Sequence, residues 1–378
     1  MVTEESVAFA TGHRPVVQLT GDVEHVNLLG PGEGQADLLL IAPATANTIA
    51  KIAHGIDDTP VTSCASVALG GGVPILIAPA MHAHMGQNPA VRENVARLES
   101  WGVEFITVQK AEGEDKLATP EEVAAAVLHR LGRGPWAGRS VVVIGGASRE
   151  PIDAVRSITN ESSGETAVAL ATQAHYRGAS VTLWAGSLQV PVPSFLPVAR
   201  WTSVGSLLDL ARREGTLLEG AAAVLVPAAL SDFTLTPQPG KISSRDTSAL
   251  RLELAHAPKV LPELRALAPR PVLLVGFKLE AGKAARALVP SARRLLSEAG
   301  LDVVVANDRA SLGQPRTRVE IVRRRGAVVT SDGAKFDVAG EILDALGAAL
   351  PKWRGRSPNP SETGTRVRSP GRSPVPHR

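Results

Sequence analysis

The chain has 378 residues, enough for two ordinary domains, and its 44% hydrophobic and 20% charged residues are typical of a folded globular protein. No apolar run approaches the ~18 to 20 residues that cross a bilayer, and the N-terminus lacks a secretory layout. We therefore expect a cytoplasmic protein with no membrane partner. The single cysteine, Cys64, excludes an intrachain disulfide and a multi-cysteine metal site. Aromatic residues make up only 3% of the chain, so no specific nucleic-acid partner is expected.

The basic character of the chain is concentrated in a tail at residues 351–378. This tail carries a formal charge of +6. Because the whole chain carries +3, the remaining residues have a net charge of −3. Its six prolines and three Arg-Ser-Pro triplets leave too few apolar side chains for a core, and we predict that it is disordered. We interpret it as an inert extension, with a weak contact of its arginines to a polyanion or a membrane surface as the alternative.

The first predicted unit, residues 1–130, alternates apolar runs with helical stretches. Runs that are apolar on both faces and alternate with helices are typical of a parallel sheet covered on both sides. The predicted strands lie at 36–43, 73–79 and 102–108, and a helix with proline in its first turn and glycine at its end lies at 88–102. Glycine and proline at 131–138 predict a linker.

The second predicted unit, residues 139–350, repeats this pattern. The predicted strands lie at 140–146, 180–186, 221–229, 270–277 and 301–308, and an edge hairpin lies at 319–330. The fold class is therefore α/β, with two doubly wound parallel-sheet domains. Ligands of such sheets lie beyond the carboxyl ends of the strands, so the residues that follow each strand are the candidate site residues.

The residues after the first strand of the second unit predict an anion-binding turn. Gly145 and Gly146 allow a sharp turn and a close approach of the backbone to a ligand. Polar residues and a glycine, at 160–164, precede a predicted helix at 165–177 whose free N–H groups attract phosphate. The alternative is a glycine turn followed by an ordinary Ser/Asn helix cap. The pattern G-x-G-x-x-G is absent, which disfavours an NAD domain.

Residues 145–164, GGASREPIDAVRSITNESSG, resemble the signature of the phosphopantothenate–cysteine ligase family. Segments at 227–233, 241–244, 275–280 and 303–309 resemble further motifs of that family, in the same order. In the first unit, the segments at 24–28, 42–58 and 78–106 resemble the flavin-dependent phosphopantothenoylcysteine decarboxylases. A decarboxylase followed by a ligase is similar to the archaeal-type bifunctional proteins of coenzyme A biosynthesis. The resemblance spans roughly residues 1–348 and implies a flavodoxin-like domain followed by a Rossmann-like domain.

For the second unit, the resemblance implies nucleotide-dependent coupling of 4′-phosphopantothenate to cysteine through an acyl-nucleotidyl anhydride. It implies that Asn160 holds the acyl phosphate and that Lys241 closes over the reaction, although a solvated loop lysine is the alternative for Lys241 alone. The implied substrate residues are Ser162, Ser163 and Gly164. The implied nucleotide residues, for CTP or ATP, are Gly145, Gly146, Ala229, Asp232, Lys241, Phe277, Asn307 and Asp308. Asp232 is also the candidate ligand of a magnesium ion.

For the first unit, the resemblance implies decarboxylation of 4′-phosphopantothenoylcysteine to 4′-phosphopantetheine with the cofactor FMN. His25 corresponds to the active-site histidine, with a surface residue at a helix start as the alternative. The implied flavin contacts are Pro43, Ala44, Thr45 and Asn47. The implied substrate residues are Met81, His82 and Asn88, with a local hydrogen bond in a loop as the alternative for His82.

Three departures from the family patterns change these expectations. The strand, Gly/Ser phosphate-binding turn and helix with which the family usually starts would precede Met1, so we expect FMN binding to be weakened or absent unless that piece is supplied from elsewhere. Residues 110–120 lack the lid cysteine of bacterial members but resemble the corresponding string of archaeal-type members, which implies that Lys116 or another donor replaces the cysteine; Cys64 lies on a different segment and is interpreted as structural. Glu165 stands where the family has lysine, and Arg293 and Arg294 are out of register with its other lysines, which leaves CTP or ATP open.

Three hypotheses follow. The first is a bifunctional decarboxylase and ligase. The second is a ligase whose first unit is only an oligomerisation scaffold, and the third is a nucleotide-binding regulatory module without turnover. The resemblance also implies a homo-oligomer, built as trimers or dodecamers through the decarboxylase domain and as dimers through the ligase domain.

Overall fold

A computed structural model describes residues 3–106, 117–243, 249–280, 288–311 and 313–351. Two predictions fall outside these residues: the disordered tail, apart from its first residue, and the substitute donor Lys116.

The first unit contains a parallel sheet of three strands in the order β1-β2-β3. The strands are β1 (Leu39–Ala44), β2 (Ile75–Pro79) and β3 (Glu104–Phe105). Within the described residues β1 is an edge strand, paired only with β2. The core beside the sheet is aliphatic and includes Ile41, Ile49, Ile77 and Leu98.

Helices of the first unit begin at residues that satisfy their free N–H groups. Thr59 and Thr119 cap helices that have proline at the first position, and each forms a reciprocal capping box with the residue three positions later. Asn88 caps another helix by accepting from the Ala90 N–H at 3.0 Å. The helices are α1 (Glu4–Thr11), α2 (Glu24–Leu29), α3 (Ala46–Ala53), α4 (Pro60–Gly71), α5 (Ala83–Gly86), α6 (Pro89–Ser100) and α7 (Pro120–Leu131).

The second unit is built on a sheet of eight strands, accompanied by two short hairpins. The strands are β4 (Ser140–Gly145), β5 (Arg149–Pro151), β6 (Ser157–Thr159), β7 (Ser180–Ala185), β8 (Val198–Arg200), β9 (Ala223–Val226), β10 (Phe233–Thr234), β11 (Ala255–His256), β12 (Leu273–Glu280), β13 (Val303–Asp308), β14 (Arg316–Arg323) and β15 (Val329–Ala334). The main sheet has the order β15-β14-β13-β12-β9-β4-β7-β8.

The parallel part of this sheet, β8-β7-β4-β9-β12-β13, has the strand order 3-2-1-4-5-6 of a Rossmann fold. All these strands are parallel, but the order in which the chain adds them to the sheet reverses between β4 and β9, and the carboxyl ends of these two strands form the switch point where ligands bind. The antiparallel pair β14 and β15 closes one edge, as the hairpin prediction required. The predicted fold class is confirmed.

Helices cover both faces of the second sheet, because its strands are apolar on both sides. Val142 and Leu274 point into one core, and Val141 and Val275 point into the other. The helices are α8 (Glu165–Tyr176), α9 (Val204–Arg213), α10 (Gly215–Gly220), α11 (Val260–Leu267), α12 (Leu288–Glu298) and α13 (Lys335–Gly347). Among the described residues, none of the helices in either unit has the length and hydropathy needed to span a bilayer.

Candidate active sites

Three glycines allow the carboxyl end of β4 to pack against the N-terminus of α8. A Cβ atom at Gly145 would lie 2.0 Å from the Cβ of Ala167, and one at Gly164 would lie 2.1 Å from Leu188 Cδ2. Gly146 has φ +88° and Gly164 has φ +77°, which glycine adopts at little cost. These glycines therefore permit close helix–strand packing, and the approach of a nucleotide to Gly145 and Gly146 stays a prediction.

We expect Gly145→Ala to lower the free energy of unfolding by about 1–3 kcal/mol, because the new methyl group would overlap Ala167. Thermal or urea unfolding measures this change. The double variant with Ala167→Gly should recover most of the loss, since it removes the overlapping methyl group. Gly215→Ala is the control, because a Cβ there meets nothing within 4 Å. If the double variant is no more stable than Gly145→Ala alone, the packing argument is wrong.

The hydroxyls of Ser162 and Ser163 accept from backbone N–H groups at the N-terminal end of α8, where Gly164 is the N-cap residue. The Ser162 Oγ accepts from the Gly164 N–H at 3.3 Å, and the Ser163 Oγ accepts from the Glu165 N–H at 3.3 Å. Each hydroxyl still has its own proton to donate. These hydrogen bonds and substrate binding are therefore compatible at these serines.

Asn160 follows the hairpin β5–β6 and lies beside Leu230, in the segment that connects β9 to β10. Its Nδ2 donates to the Leu230 carbonyl oxygen at 2.9 Å, and the side chain is exposed. The hairpin is anchored to a buried residue, because Thr159 Oγ1 donates to the carbonyl oxygen of Ser148 at 2.7 Å. The Ser231 N–H in turn donates to the Ser148 Oγ at 2.9 Å. Asn160 is thus held at the switch point of the sheet.

Asp153, which the sequence analysis did not single out, fixes the loop that contains Lys241. Its buried carboxylate accepts from the Ile242 N–H at 3.1 Å and from the Arg156 guanidinium at 2.6 Å. The Arg156 guanidinium also donates to the Ile242 carbonyl oxygen at 3.2 Å. Lys241 itself is exposed. Two side chains of the turn after β5, Asp153 and Arg156, therefore hold Ile242, the neighbour of Lys241, although they are 89 and 86 residues away from it in sequence.

The pKa of Asp153 reflects this loop contact. Burial raises the pKa of the carboxyl, but the N–H groups of Val155, Ile242 and Arg156, together with the Arg156 charge, outweigh burial and lower it to about 2. Asp153 is therefore ionised at neutral pH. A second buried carboxylate of the same motif, Glu150, accepts from the Val204 N–H at 2.9 Å and so caps α9.

A cavity of about 370 Å³ opens at the carboxyl ends of β9 and β12. Two of the predicted nucleotide residues, Asp232 and Phe277, line it, together with Lys259. The Lys259 Nζ lies 2.8 Å from the Asp232 Oδ1. Lys259 is a charged residue of the cavity that the sequence analysis missed, because nothing in its local sequence places it opposite Asp232.

A smaller cavity of about 160 Å³ lies next to the first. It is lined by Ser162, Ala229 and Asn307, and it shares Phe277 with the larger cavity. Asn307 donates from Nδ2 to the Ser311 Oγ at 3.0 Å. Asn160 and Lys241 line neither cavity, and the structure places both of them on exposed segments.

In the part of the chain that the structure describes, no group of three or more His, Cys, Asp or Glu side chains could hold a metal ion. Magnesium usually keeps several waters and takes one or two carboxylates plus the phosphates of a substrate. A role of Asp232 as a magnesium ligand therefore requires a bound nucleotide.

The first unit has a cavity of about 340 Å³ beside β1, and His25 on α2 lines it. The His25 Nδ1 is buried and has no hydrogen-bond partner among the described residues. Pro43 and Cys64 line the same cavity. Burial, followed by the charge of Asp57, raises the pKa of the Cys64 thiol, so this thiol stays protonated at neutral pH.

The residues around this cavity fit the ring of a flavin. Pro43, Thr45 and Asn47 are exposed where β1 ends and α3 begins, while Ala44 is fully buried in the core. The buried, unpaired His25 Nδ1 can bond to a polar edge of a heterocycle, and the remaining lining is mostly apolar. No lysine or arginine of the described residues lines the cavity, so these residues do not account for a flavin phosphate.

The predicted substrate residues of the first unit follow β2 and do not line the His25 cavity. Met81 is half-buried against the core, and His82 is exposed and stacks on His84 with ring centroids 5.3 Å apart. Asn88 caps α6. These residues share the carboxyl edge of the sheet with His25, because the Ala80 N–H donates to the Ala44 carbonyl oxygen at 2.8 Å.

Comparison with known proteins supports the division into two kinds of domain. Residues 1–132 match the family described as Flavoprotein, and residues 136–349 match the DNA/pantothenate metabolism flavoprotein C-terminal domain. The chain is 40% identical over 343 residues to the coenzyme A biosynthesis bifunctional protein CoaBC of Thermococcus kodakarensis. This aligned region covers 90% of the chain and 83% of that protein. The chain is 33% identical over 338 residues to the protein of the same name from Bacillus subtilis, covering 85% of this chain and 80% of that one.

A solved structure, that of the DNA/pantothenate metabolism flavoprotein from Streptococcus pneumoniae, is also similar. It matches with a TM-score of 0.49 and 24% identity, covering 56% of this chain and 99% of that one.

The fold and the sites define an α/β enzyme in which a flavoprotein-type domain precedes a Rossmann-type ligase domain. The chain belongs to the family of the coenzyme A biosynthesis bifunctional protein CoaBC. The predicted family, including its relation to archaeal members, is confirmed, and so is the assignment to an enzyme of coenzyme A biosynthesis. The exact domain limits and the roles of individual residues stay predictions.

Proposed function

We propose that the second domain joins 4′-phosphopantothenate to cysteine at the switch point of its sheet, using a nucleoside triphosphate. The observation that carries this proposal is the geometry around Asn160. The Asn160 amide, the loop of Lys241 and two adjacent cavities all lie at the carboxyl ends of neighbouring strands. This is where a Rossmann-type sheet binds its ligands.

The larger cavity would take the nucleotide, CTP or ATP. At about 370 Å³ it is within the ~300–1,000 Å³ range of small-molecule sites, and Phe277 supplies an apolar wall. Asp232, with Lys259 beside it, would approach the phosphates through a magnesium ion. Ala229 follows β9, Asn307 and Asp308 are the last residues of β13, and they would complete the nucleotide site with Gly145 and Gly146.

In the first half-reaction, a carboxylate oxygen of 4′-phosphopantothenate attacks the α-phosphorus and pyrophosphate leaves. The charge that develops on the phosphoryl oxygens needs positioned donors. Asn160 has a second amide N–H besides the one that bonds to Leu230, and Lys241 supplies a positive charge from its loop. Ser162, Ser163 and Gly164 would bind the acid at the start of α8.

In the second half-reaction, the cysteine amine attacks the carbonyl carbon, loses a proton, and displaces the nucleoside monophosphate. The Asn160 amide and the Lys241 ammonium would stabilise the negative charge in this step also. The product is 4′-phosphopantothenoylcysteine.

The first domain would decarboxylate this product at the cavity of His25. FMN, when bound, supplies the oxidation of the thiol end that makes the loss of carbon dioxide easy. Pro43, Thr45 and Asn47 would hold its ring at the end of β1, whereas Ala44 is fully buried and would support this turn from the core. His25, whose Nδ1 is buried and unpaired, would accept and return the thiol proton, and Met81, His82 and Asn88 would bind the substrate from the next strand end.

We expect His25→Gln to lower the decarboxylation rate by about 10²- to 10⁴-fold, the range for loss of a general acid–base group. Carbon dioxide release from 4′-phosphopantothenoylcysteine measures this rate, and the flavin absorbance of the purified chain should not change. The exposed His13 provides a control, since His13→Gln should leave the rate unchanged. An unchanged rate in His25→Gln would exclude this histidine from the proton transfer.

The proposed function is tested by pyrophosphate release from the full chain. Release should require both a nucleoside triphosphate and 4′-phosphopantothenate, and parallel assays with CTP and ATP identify the nucleotide. If release does not depend on 4′-phosphopantothenate, the regulatory-module hypothesis replaces this one. Ligation without flavin absorbance or decarboxylation would support the ligase-only alternative. We also propose a cytoplasmic homo-oligomer, and light scattering of the purified chain tests its assembly.

A further inference from the structure

Lys335 is a buried lysine that lines the smaller ligase cavity. It is the first residue of α13, and its side chain is only 8% exposed. Its Nζ lies 2.6 Å from the Oε2 of Glu165, the first residue of α8. The two residues are 170 positions apart in sequence. The structure therefore places a lysine ammonium beside the position where Glu165 begins α8.

The cavity beside Lys335 is lined by both polar and apolar residues. Ser162, Asn307 and Thr317 contribute polar groups, while Val305 and Val338 contribute apolar walls. Its volume of about 160 Å³ is below the ~300 Å³ at which whole-ligand sites begin. The space therefore suits one part of a ligand that continues into the larger cavity past Phe277.

The two partners of this ion pair differ in their freedom to leave it. The Glu165 side chain is 42% exposed, so its carboxylate can turn into water at little cost. Lys335 cannot follow, because its side chain is buried and its backbone N–H donates to the Pro315 carbonyl oxygen at 3.1 Å. A buried ammonium without a counter-charge is strongly unfavourable. Departure of Glu165 therefore requires another anion to take its place.

We propose that Lys335 binds a phosphoryl group of one of the two phosphorylated substrates, and that Glu165 neutralises its ammonium until the substrate arrives. This inference rests on the proposed ligase function. The phosphoryl group comes either from the nucleoside triphosphate or from 4′-phosphopantothenate, since both carry the same chemistry. Lys335 is thus a substrate-binding residue contributed by the last helix of the domain.

The competing explanation is an ordinary structural ion pair that ties α8 to α13. The two explanations make opposite predictions for Glu165. If Glu165 competes with a substrate phosphate, Glu165→Gln should tighten binding of that substrate. If the pair is structural, Glu165→Gln should weaken the protein in the same way as removal of Lys335.

The same two helices provide a matched control. Arg177 at the end of α8 forms an ion pair with Asp344 on α13, with 2.9 Å between Nη2 and Oδ1. Neither residue lines a ligase cavity. Arg177→Met therefore reports the effect of losing a cation that ties the two helices together away from the cavities, through Asp344 and the Gly340 carbonyl oxygen, and that also donates to Gln173 of α8.

The experiment compares the full chain with its Lys335→Met, Glu165→Gln and Arg177→Met variants in steady-state ligation, with thermal melting as a check on folding. We expect Lys335→Met to raise the KM of one phosphorylated substrate by about 10- to 100-fold, as for a lost charged hydrogen bond, and to leave the KM of cysteine unchanged. Glu165→Gln should lower that same KM. Arg177→Met should lower the melting temperature without changing any KM.

The substrate whose KM changes identifies the source of the phosphoryl group. The proposal is overturned if Lys335→Met leaves both KM values unchanged, or if Glu165→Gln raises the same KM as Lys335→Met does. Absence of ligation by the unmodified chain would instead refute the proposed function. Calorimetric titration of inorganic pyrophosphate then still tests the site, because the unmodified chain should bind it more tightly than Lys335→Met, and equal binding would overturn the proposal.

Discussion

Replacing Lys241 by alanine is expected to lower the rate of ligation by about 10²- to 10³-fold, the cost of removing one charge-stabilising donor from an enzyme site. Lys241 is exposed on a loop whose neighbouring residue, Ile242, is held at both its N–H and its carbonyl oxygen. Because Ile242 is held while the side chain of Lys241 is exposed, the loop can bring the Lys241 ammonium to a developing negative charge. Pyrophosphate release and cysteine-dependent product formation measure the two half-reactions separately.

The first domain provides an internal control for Lys241→Ala. Decarboxylation of supplied 4′-phosphopantothenoylcysteine should continue at the rate of the unmodified chain, since Lys241 belongs to the other domain. Lys241→Arg should recover only part of the ligation rate, because a planar guanidinium does not replace a compact ammonium. Unchanged ligation in Lys241→Ala would show that Lys241 is a solvated loop lysine with no role in the reaction.

The main sheet of the second domain, apart from the three-residue strand β8, could be predicted from the sequence, because its signals are local. Apolar runs such as 140–146 and 301–308 are strands in the structure, with shifts of one or two residues at their ends. The hairpins β5–β6 and β10–β11 were not predicted. Their strands are only two or three residues long and include polar or exposed residues, so they lack the alternation that identifies a strand.

The candidate ligase site was predicted only in part. Asn160, Asp232 and Asn307 follow strands or belong to a contiguous motif, and the sequence places them at one edge of the sheet. Lys259 and Lys335 could not be found in the same way, because their partners Asp232 and Glu165 are distant along the chain and meet them only in the folded structure. Long-range ion pairs leave no periodic signal in the sequence.

The first domain shows a second limit of sequence reasoning. His25 and Met81 both belong to motif segments, yet the structure places His25 in a cavity beside β1 and Met81 after β2, against the core. A shared sheet edge follows from strand order, whereas a shared cavity depends on the direction of each side chain. Sequence patterns predict the first and not the second.

Asp153 lies in the turn after β5 and holds the loop of Lys241. Asp153→Asn is therefore the second substitution for which we expect a large fall in the ligation rate. The substitution keeps the size of the side chain but replaces one oxygen by an amide that donates. Oδ2 now accepts from the Ile242 N–H and from the Arg156 guanidinium, so an amide group there would face two donors. Released from this contact, the loop no longer holds Lys241 in place.

We expect Asp153→Asn to lower the ligation rate by about 10²-fold, the cost of a misplacement of roughly 1 Å at a reacting group. Since Lys241 itself is intact, the loss should be smaller than in Lys241→Ala. Decarboxylation should be unaffected. The matched control is Asp209→Asn, because Asp209 also pairs with an arginine three residues later, Arg212, but on the exposed surface of α9. Equal rates in the Asp153→Asn and Asp209→Asn variants would show that the loop contact does not matter for ligation.

The stability of the chain in acid provides an independent measurement of the same contact. Folding lowers the pKa of Asp153 from its usual 3.8 to about 2, so the ionised carboxylate stabilises the folded state at neutral pH. This contribution is complete above about pH 5 and is lost as the pH falls through 4 towards 2, because the unfolded chain takes up the proton in this range while the folded carboxylate stays ionised until about pH 2. Unfolding midpoints measured across this range should therefore fall more steeply for the unmodified chain than for Asp153→Asn, which has no proton to take up at this position. Parallel curves for the two proteins would mean that Asp153 is not the carboxylate that joins the turn to the Lys241 loop.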